Sequence, residues 1–159
     1  MQPLFSIEEE WLKFKTELEA WEGTPYRHYQ KAKKYGADCG LFTGQALVNI
    51  GVWTKLSYIY YPRDWQVHGQ TPVLENLLFD NFDNNLNSDY TYEKIKTKNF
   101  LVGDICVMSL VKRSMADHLA IYLGNDMIIH GLYNNGIFTM DFNKWWKLRT
   151  RYVVRIFKE

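Results

Sequence analysis

One cysteine in the first third of the chain has the surroundings of a nucleophile. Cys39 follows Asp38, and the apolar residues after it recur at helical spacing up to Gly51, which predicts a helix with Cys39 in its first turn. A thiol attacks only as the thiolate, and the free N–H groups and dipole of a helix N-terminus favour that anion. The same N–H groups can stabilise the oxyanion of a tetrahedral intermediate. Cys39 is therefore the candidate nucleophile of an acyl-transfer reaction.

Two histidines are candidates for the general base that such a nucleophile needs. His118 begins one predicted strand and His130 ends the next, with Gly-Asn-Asp at 124–126 between them. A turn centred on the glycine makes the two imidazoles cross-strand neighbours on one face of the sheet. A two-residue Gly-Asn turn instead pairs Leu119 with His130 and sends the histidines to opposite faces. A histidine pair here therefore requires a three-residue turn or a β-bulge.

Helices are predicted in the first part of the chain and strands in the last part. A capping box of Ser6 and Glu9 opens a helix over 7–21. Region 52–100 is expected to be an insertion of loops and short helices, with the Asn- and Asp-rich stretch 80–89 as loop. The predicted ranges are 63–68 and 72–79 for the short helices, and 104–111, 118–123, 127–131, 136–140 and 151–157 for the strands. This order predicts an α+β fold in one domain, residues 1–159, with N-terminal helices packed on an antiparallel sheet of about five strands.

Composition excludes several other classes of function. A net charge of +1 gives no broad electrostatic attraction to nucleic acid, and no stretch approaches the roughly 18 apolar residues that span a bilayer. The N-terminus lacks the basic start and apolar segment of a secretory signal, so we expect synthesis in the cytoplasm. Two cysteines are too few for a disulfide scaffold or a thiolate zinc site. Cys106 lies in an apolar strand and is expected to be a core residue without a catalytic role.

Six short motifs, in order along the chain, resemble those of the NlpC/P60 family of papain-like cysteine peptidases. They are Gly-Thr-Pro-Tyr-Arg at 23–27, Asp-Cys-Gly-Leu-Phe at 38–42, Pro-Arg at 62–63, Val-Gly-Asp at 102–104, His-Leu-Ala-Ile-Tyr-Leu-Gly at 118–124 and Ile-Ile-His at 128–130. The resemblance implies a papain-like fold and an endopeptidase that hydrolyses stem-peptide bonds in bacterial cell-wall peptidoglycan, often between D-glutamate and diaminopimelate.

The resemblance also implies a role for each of five residues. It makes Cys39 the nucleophile, His118 the base and His130 the residue that orients the base, with no metal or cofactor. The hydroxyl of Tyr26 would lie near the oxyanion, and Asp38 would contact the amine of the stem peptide. The remaining substrate-binding residues that we expect are Arg27, His28, Gly40, Arg63 and Asp117.

One departure from the family pattern concerns the substrate. The usual Asp-Cys-Ser-Gly-Phe is Asp-Cys-Gly-Leu-Phe in this chain, so the contact normally made by that serine is absent. The Tyr-Arg-His start and the aromatic, Asn-rich insertion resemble the phage-tail and prophage branch. That likeness implies phage tail proteins as partners, and access to the cell wall with a particle or after lysis. The alternatives are an N-acetylmuramoyl-L-alanine amidase or acyltransferase with the same triad, or a catalytically silent module that binds the tail or wall.

Overall fold

The computed structural model describes residues 1–159, and its helices lie on an antiparallel sheet. The sequence-predicted fold class, α+β, is therefore confirmed. The helices are α1 (Glu8–Trp21), α2 (Cys39–Asn49), α3 (Trp65–His68), α4 (Val73–Asn84) and α5 (Lys144–Arg149). The strands are β1 (Gln2–Pro3), β2 (Lys31–Ala32), β3 (Gly36–Ala37), β4 (Tyr90–Ile95), β5 (Ile105–Met108), β6 (His118–Gly124), β7 (Met127–Leu132), β8 (Gly136–Asp141) and β9 (Thr150–Lys158).

The main sheet has seven strands, two more than the sequence predicted. The five predicted strands are present as β5 to β9, and β1 and β4 are added because both pair with β9. Strands β5, β6, β7 and β8 follow one another as antiparallel neighbours, and β2 and β3 form a separate two-stranded sheet. The two strands that carry the histidines, β6 and β7, therefore lie inside the main sheet rather than at its edge.

The N-terminus of α1 differs from its predicted form. The helix starts one residue later than expected, at Glu8, and its N-cap is Ile7, which makes no side-chain capping hydrogen bond. The hydroxyl of Ser6 donates instead to the carbonyl of Pro3, 2.6 Å away. The predicted capping box is wrong because Leu4–Ser6 already form a 3-10 turn that takes up the serine. The acidic first turn, Glu8 to Glu10, still complements the positive end of the helix dipole.

The insertion contains more regular structure than its composition predicted. The two short helices are present, but α4 continues to Asn84, so the first half of the predicted 80–89 loop is wrong. Residues 85–89 do form a loop, and β4 begins after them. Asn81 explains the extension, because its fully buried amide exchanges hydrogen bonds with the backbone N–H and C=O of Ser57 at 2.8 and 2.7 Å. A polar residue that reads as loop in sequence thus joins α4 to the segment before α3.

The turn of the β6–β7 hairpin determines how the two strands that carry the histidines pair. Asn125 and Asp126 form a two-residue turn with φ of 52° and 55°, a left-handed conformation that matches the twist of the flanking strands. The register shifts between Tyr122 and Gly124, so the predicted bulge is present. His130 is opposite Ala120, not His118, and the two histidines are diagonal neighbours on one face. The prediction that the two histidines lie directly opposite each other is therefore wrong. The residue opposite His130 is two positions along β6 from His118.

Candidate active site

Cys39 is the first residue of α2, as the sequence predicted. Asp38 is the N-cap, and its side chain accepts a hydrogen bond from the Leu41 N–H at 2.9 Å, which fixes the start of the helix. The backbone of Leu119, the residue after His118, is among the groups that oppose the rise in the pKa of Cys39. The candidate nucleophile at the start of α2 therefore lies against the start of β6.

The two histidines form one hydrogen-bonded pair. Nε2 of His118 lies 2.8 Å from Nδ1 of His130, and both rings are almost fully buried. Nε2 of His130 lies 3.0 Å from the sulfur of Met140 on β8. A thioether sulfur accepts hydrogen bonds and cannot donate them, so this contact assigns the proton of His130 to Nε2. His118 then donates from Nε2 to His130, and its Nδ1 is left unprotonated as a base.

Burial favours the neutral forms of both the thiol and the imidazole. Desolvation, followed by the charge of Asp38, raises the pKa of Cys39 to about 12. Desolvation and then His130 lower the pKa of His118 to about 3, and desolvation lowers that of His130 to about 4. The sequence predicted a thiol acidified by the helix N-terminus, and the structure gives the opposite direction because the cost of burying the anion exceeds the gain from the helix.

A cavity of about 770 Å³ runs along the start of α2 and the start of β6. Nine of the ten predicted site residues line it: Tyr26, Arg27, His28, Asp38, Cys39, Gly40, Arg63, Asp117 and His118. His130 is the exception, since it lies beneath His118 with no exposed surface. The positions of the candidate nucleophile and base on one cavity wall fit a reaction at a bound carbonyl, with His130 acting through His118.

The two predicted acidic residues are both held by backbone groups. Asp38 accepts from the Tyr29 N–H at 3.0 Å and from the hydroxyl of Tyr61, in addition to its helix-capping bond. Burial raises the pKa of Asp38, and these hydrogen bonds oppose that rise. Asp117 accepts from the N–H groups of Leu110 and Val111, both at 2.7 Å. The two carboxylates therefore position the loops that border the cavity.

Tyr26 and Gly131 lie beside the Cys39 amide. Burial raises the pKa of the Tyr26 hydroxyl, which keeps it protonated as a hydrogen-bond donor. A Cβ added to Gly131 would be 3.5 Å from the Tyr26 ring and 3.7 Å from the Cys39 nitrogen. Gly131 was missed by the sequence reasoning, although a glycine inside a strand often marks the close approach of a ligand or backbone.

The glycine at position 40 allows α2 and α4 to pack closely together. A Cβ at this position would be 2.8 Å from Cδ1 of Leu74 and 3.0 Å from Cδ2 of Leu77, both on α4. The departure from serine at this point of the motif therefore lets α4 approach α2 closely. The cavity wall that a serine side chain would occupy is built by these two leucines instead.

Three further features of the chain concern possible metal ligands, membrane-spanning helices and the second cysteine. No group of three or more His, Cys, Asp or Glu side chains is arranged to hold a metal ion. No helix has both the length and the apolar character needed to cross a membrane. Cys106 is fully buried in β5, among core residues, as the sequence predicted.

The comparisons with known proteins agree on one family. The profile of the NlpC/P60 family matches residues 23–155, whereas no curated protein matches the chain. Among solved structures, the NlpC/p60 domain of peptidoglycan hydrolase SagA is 20% identical, with a TM-score of 0.57 over 90% of this chain and 96% of that one. An NLP/P60 family protein from Staphylococcus aureus, described as similar to lipoprotein, is 19% identical, with a TM-score of 0.61 over 96% of this chain and 43% of that one. The P60 domain of an antigen from M. avium subspecies paratuberculosis is 13% identical, with a TM-score of 0.55 over 91% and 92%. The chain thus spans less than half of the staphylococcal protein, and these likenesses concern the fold.

Proposed function

Because this chain belongs to the NlpC/P60 family, we propose that it is a cysteine peptidase that hydrolyses amide bonds in the stem peptides of bacterial peptidoglycan. The observation that carries the proposal is the geometry around Cys39. The thiol at the start of α2 shares one cavity with His118, whose Nε2 is 2.8 Å from His130. Family members generally hydrolyse through a cysteine, and the name of the SagA domain supports peptidoglycan as the substrate class.

The proposed reaction is acyl transfer through a thioester. Nδ1 of His118 takes the thiol proton while the sulfur of Cys39 attacks the carbonyl carbon, since burial keeps both groups neutral beforehand. The oxyanion accepts hydrogen bonds from the Cys39 N–H and the Tyr26 hydroxyl. The C–N bond then breaks, and the His118 imidazolium gives its proton to the leaving amine. Water, deprotonated by His118, hydrolyses the thioester and regenerates the thiol.

The proposal also specifies which stem-peptide bond is cleaved and the biological setting in which the protein acts. The motif resemblance supports cleavage between D-glutamate and diaminopimelate, and it is also the sole support for association with a phage or prophage. The relatives described above carry the names of a peptidoglycan hydrolase, a lipoprotein-like protein and an antigen, and none of these names concerns a phage. Access to the wall with a particle or after lysis therefore rests on the sequence alone.

Digestion of purified peptidoglycan tests the proposal. The soluble products of the wild type and of Cys39→Ala are compared by mass spectrometry, which identifies the bond that is cut. New peptide termini that need Cys39 support the peptidase, whereas release of whole stem peptides from the sugar identifies an amidase. Absence of any cleavage, together with tight binding to the sacculus, would instead support the silent wall-binding module.

A further inference from the structure

A second groove, of about 500 Å³, continues from the catalytic cavity. Its lining comes from the segment 57–62 and from the outer face of α4, and it has four residues in common with the catalytic cavity. The shared wall consists of Tyr61, Trp65, Val73 and Leu77. A molecule bound in this groove would therefore be next to, or part of, the chain that is cut.

Aromatic side chains dominate one side of the groove. Tyr58 and Tyr60 line it and are 37% and 68% exposed, so their rings are accessible to a ligand. They are held in place by Tyr29, whose ring centroid is 5.5 Å from that of Tyr58 and 5.3 Å from that of Tyr60. Tyr61 is fixed beside them by its hydroxyl bond to Asp38. The rings form a supported platform, which lowers the conformational cost of binding.

Hydrogen-bonding groups face this platform from α4. Asn76 and Asp80 line the groove one helical turn apart, and neither side chain makes a hydrogen bond or ion pair within the chain. Thr71 adds a hydroxyl, and no Lys, Arg or His lines the groove. The groove thus offers ring faces, an amide, a carboxylate and a hydroxyl, and it has no charge that would attract an anion.

We propose that this groove binds a sugar ring of the glycan to which the stem peptide is attached. This inference rests on the proposed function. Pyranose rings present C–H faces that pack on aromatic rings and hydroxyl and amide groups that pair with Asn and Asp side chains. The alternative ligand is an amino group of the stem peptide, which Asp80 and the faces of the tyrosine rings would attract. The neutral groups outnumber the single carboxylate, which favours the sugar.

The test compares two substrates that differ only in the sugar. One is a disaccharide-linked stem peptide, and the other is the same peptide without its disaccharide. We expect Tyr60→Ala to lower kcat/KM about tenfold on the sugar-linked substrate, through KM, and to leave the free peptide unchanged. Tyr35→Ala is the matched control, since Tyr35 is 78% exposed and lines neither cavity. Asp80→Asn keeps hydrogen bonding and removes the charge, so a sugar site should retain most of its affinity.

Three results would overturn the inference. They are an equal loss on both substrates, no loss on either, and a loss for Asp80→Asn as large as that for Tyr60→Ala. If the wild type cleaves neither substrate, the proposed function fails, and titration of Cys39→Ala with the disaccharide by NMR still decides the inference. Shifts of the Asn76 side-chain amide that Tyr60→Ala abolishes would support a sugar site, and no shifts at millimolar disaccharide would refute it.

Discussion

Met140→Leu should change which nitrogen of His130, and through it which nitrogen of His118, carries the proton. In the structure the sulfur of Met140 is 3.0 Å from Nε2 of His130, and this contact holds the proton there. Nδ1 of His130 can then accept a hydrogen bond from Nε2 of His118. Nδ1 of His118 therefore stays unprotonated and can take the proton of the thiol. Leucine is close to methionine in volume, so packing changes little while the acceptor disappears.

The size of the effect follows from the burial of His130, which has no exposed surface. Leaving a buried N–H without an acceptor costs about 1–3 kcal/mol, and the lower end applies because sulfur is a weak acceptor. A cost of about 1 kcal/mol shifts the ratio of the two tautomers about fivefold, so kcat should fall by at most that factor. Met140→Gln supplies an amide oxygen at the same place and should restore the wild-type tautomer.

Nitrogen-15 NMR of the imidazoles measures the tautomer directly, and it does not depend on a known substrate. Met108→Leu is the control, because Met108 is fully buried in the small core cluster against which Met140 packs and makes no hydrogen bond to a histidine nitrogen. Unchanged imidazole signals and unchanged kcat in Met140→Leu would show that the sulfur does not set the tautomer. Equal changes in both leucine variants would show that packing, and not the hydrogen bond, is responsible.

Three further predictions follow from the buried pair and the space beside it. In a Cys106→Ser variant, Cys39 should react slowly with iodoacetamide at pH 7, and the rate should keep rising up to the highest pH at which the fold persists, because the pKa of Cys39 is about 12. Fast labelling at pH 6 would contradict a neutral thiol beside a neutral His118. Because the folded pKa values of His118 and His130 lie below the ordinary 6.5, the unfolded chain binds more protons as pH falls, and each histidine should cost about 2 kcal/mol of stability between pH 7 and pH 5. Urea unfolding at the two pH values measures this, and His130→Leu should remove part of the pH dependence. Gly131→Ala should lower kcat about tenfold with a native circular dichroism spectrum, because the added Cβ would be 2.8 Å from Cδ1 of Ile137 and 3.7 Å from the Cys39 nitrogen, and relief of the first contact displaces groups beside the Cys39 amide.

Local signals were sufficient to predict the position of the nucleophile. Asp38 and the helical apolar spacing after Cys39 lie within a dozen residues, and the helix that they predict is present with Cys39 as its first residue. The histidine pair also followed from a local hairpin, although a bulge and a diagonal step determine the actual register. Short-range patterns therefore predicted the positions of the candidate nucleophile and of the histidine pair, whereas the roles of Tyr26 and Asp38 came from the family resemblance.

Contacts between distant parts of the chain account for the structural features that the sequence did not predict. Strand β4 exists because β9, some 60 residues later, pairs with it, and α4 is extended by the bonds of Asn81 to Ser57. The sulfur of Met140 on His130 and the packing of Leu74 against Gly40 also depend on neighbouring elements. The direction of the thiol pKa was wrong for the same reason, since burial is a property of the whole fold.

The pairing of β9 has a consequence for the order in which the protein can become active during synthesis. β9 is hydrogen-bonded to β1, β4 and β5, and β5 in turn supports β6, which begins with His118. A growing chain that has emerged only to residue 149 already contains every candidate catalytic residue, but one edge of β5 still lacks its partner. We therefore expect the candidate site to assemble, and the proposed hydrolytic activity to appear, only after β9 has left the ribosome and paired with β5.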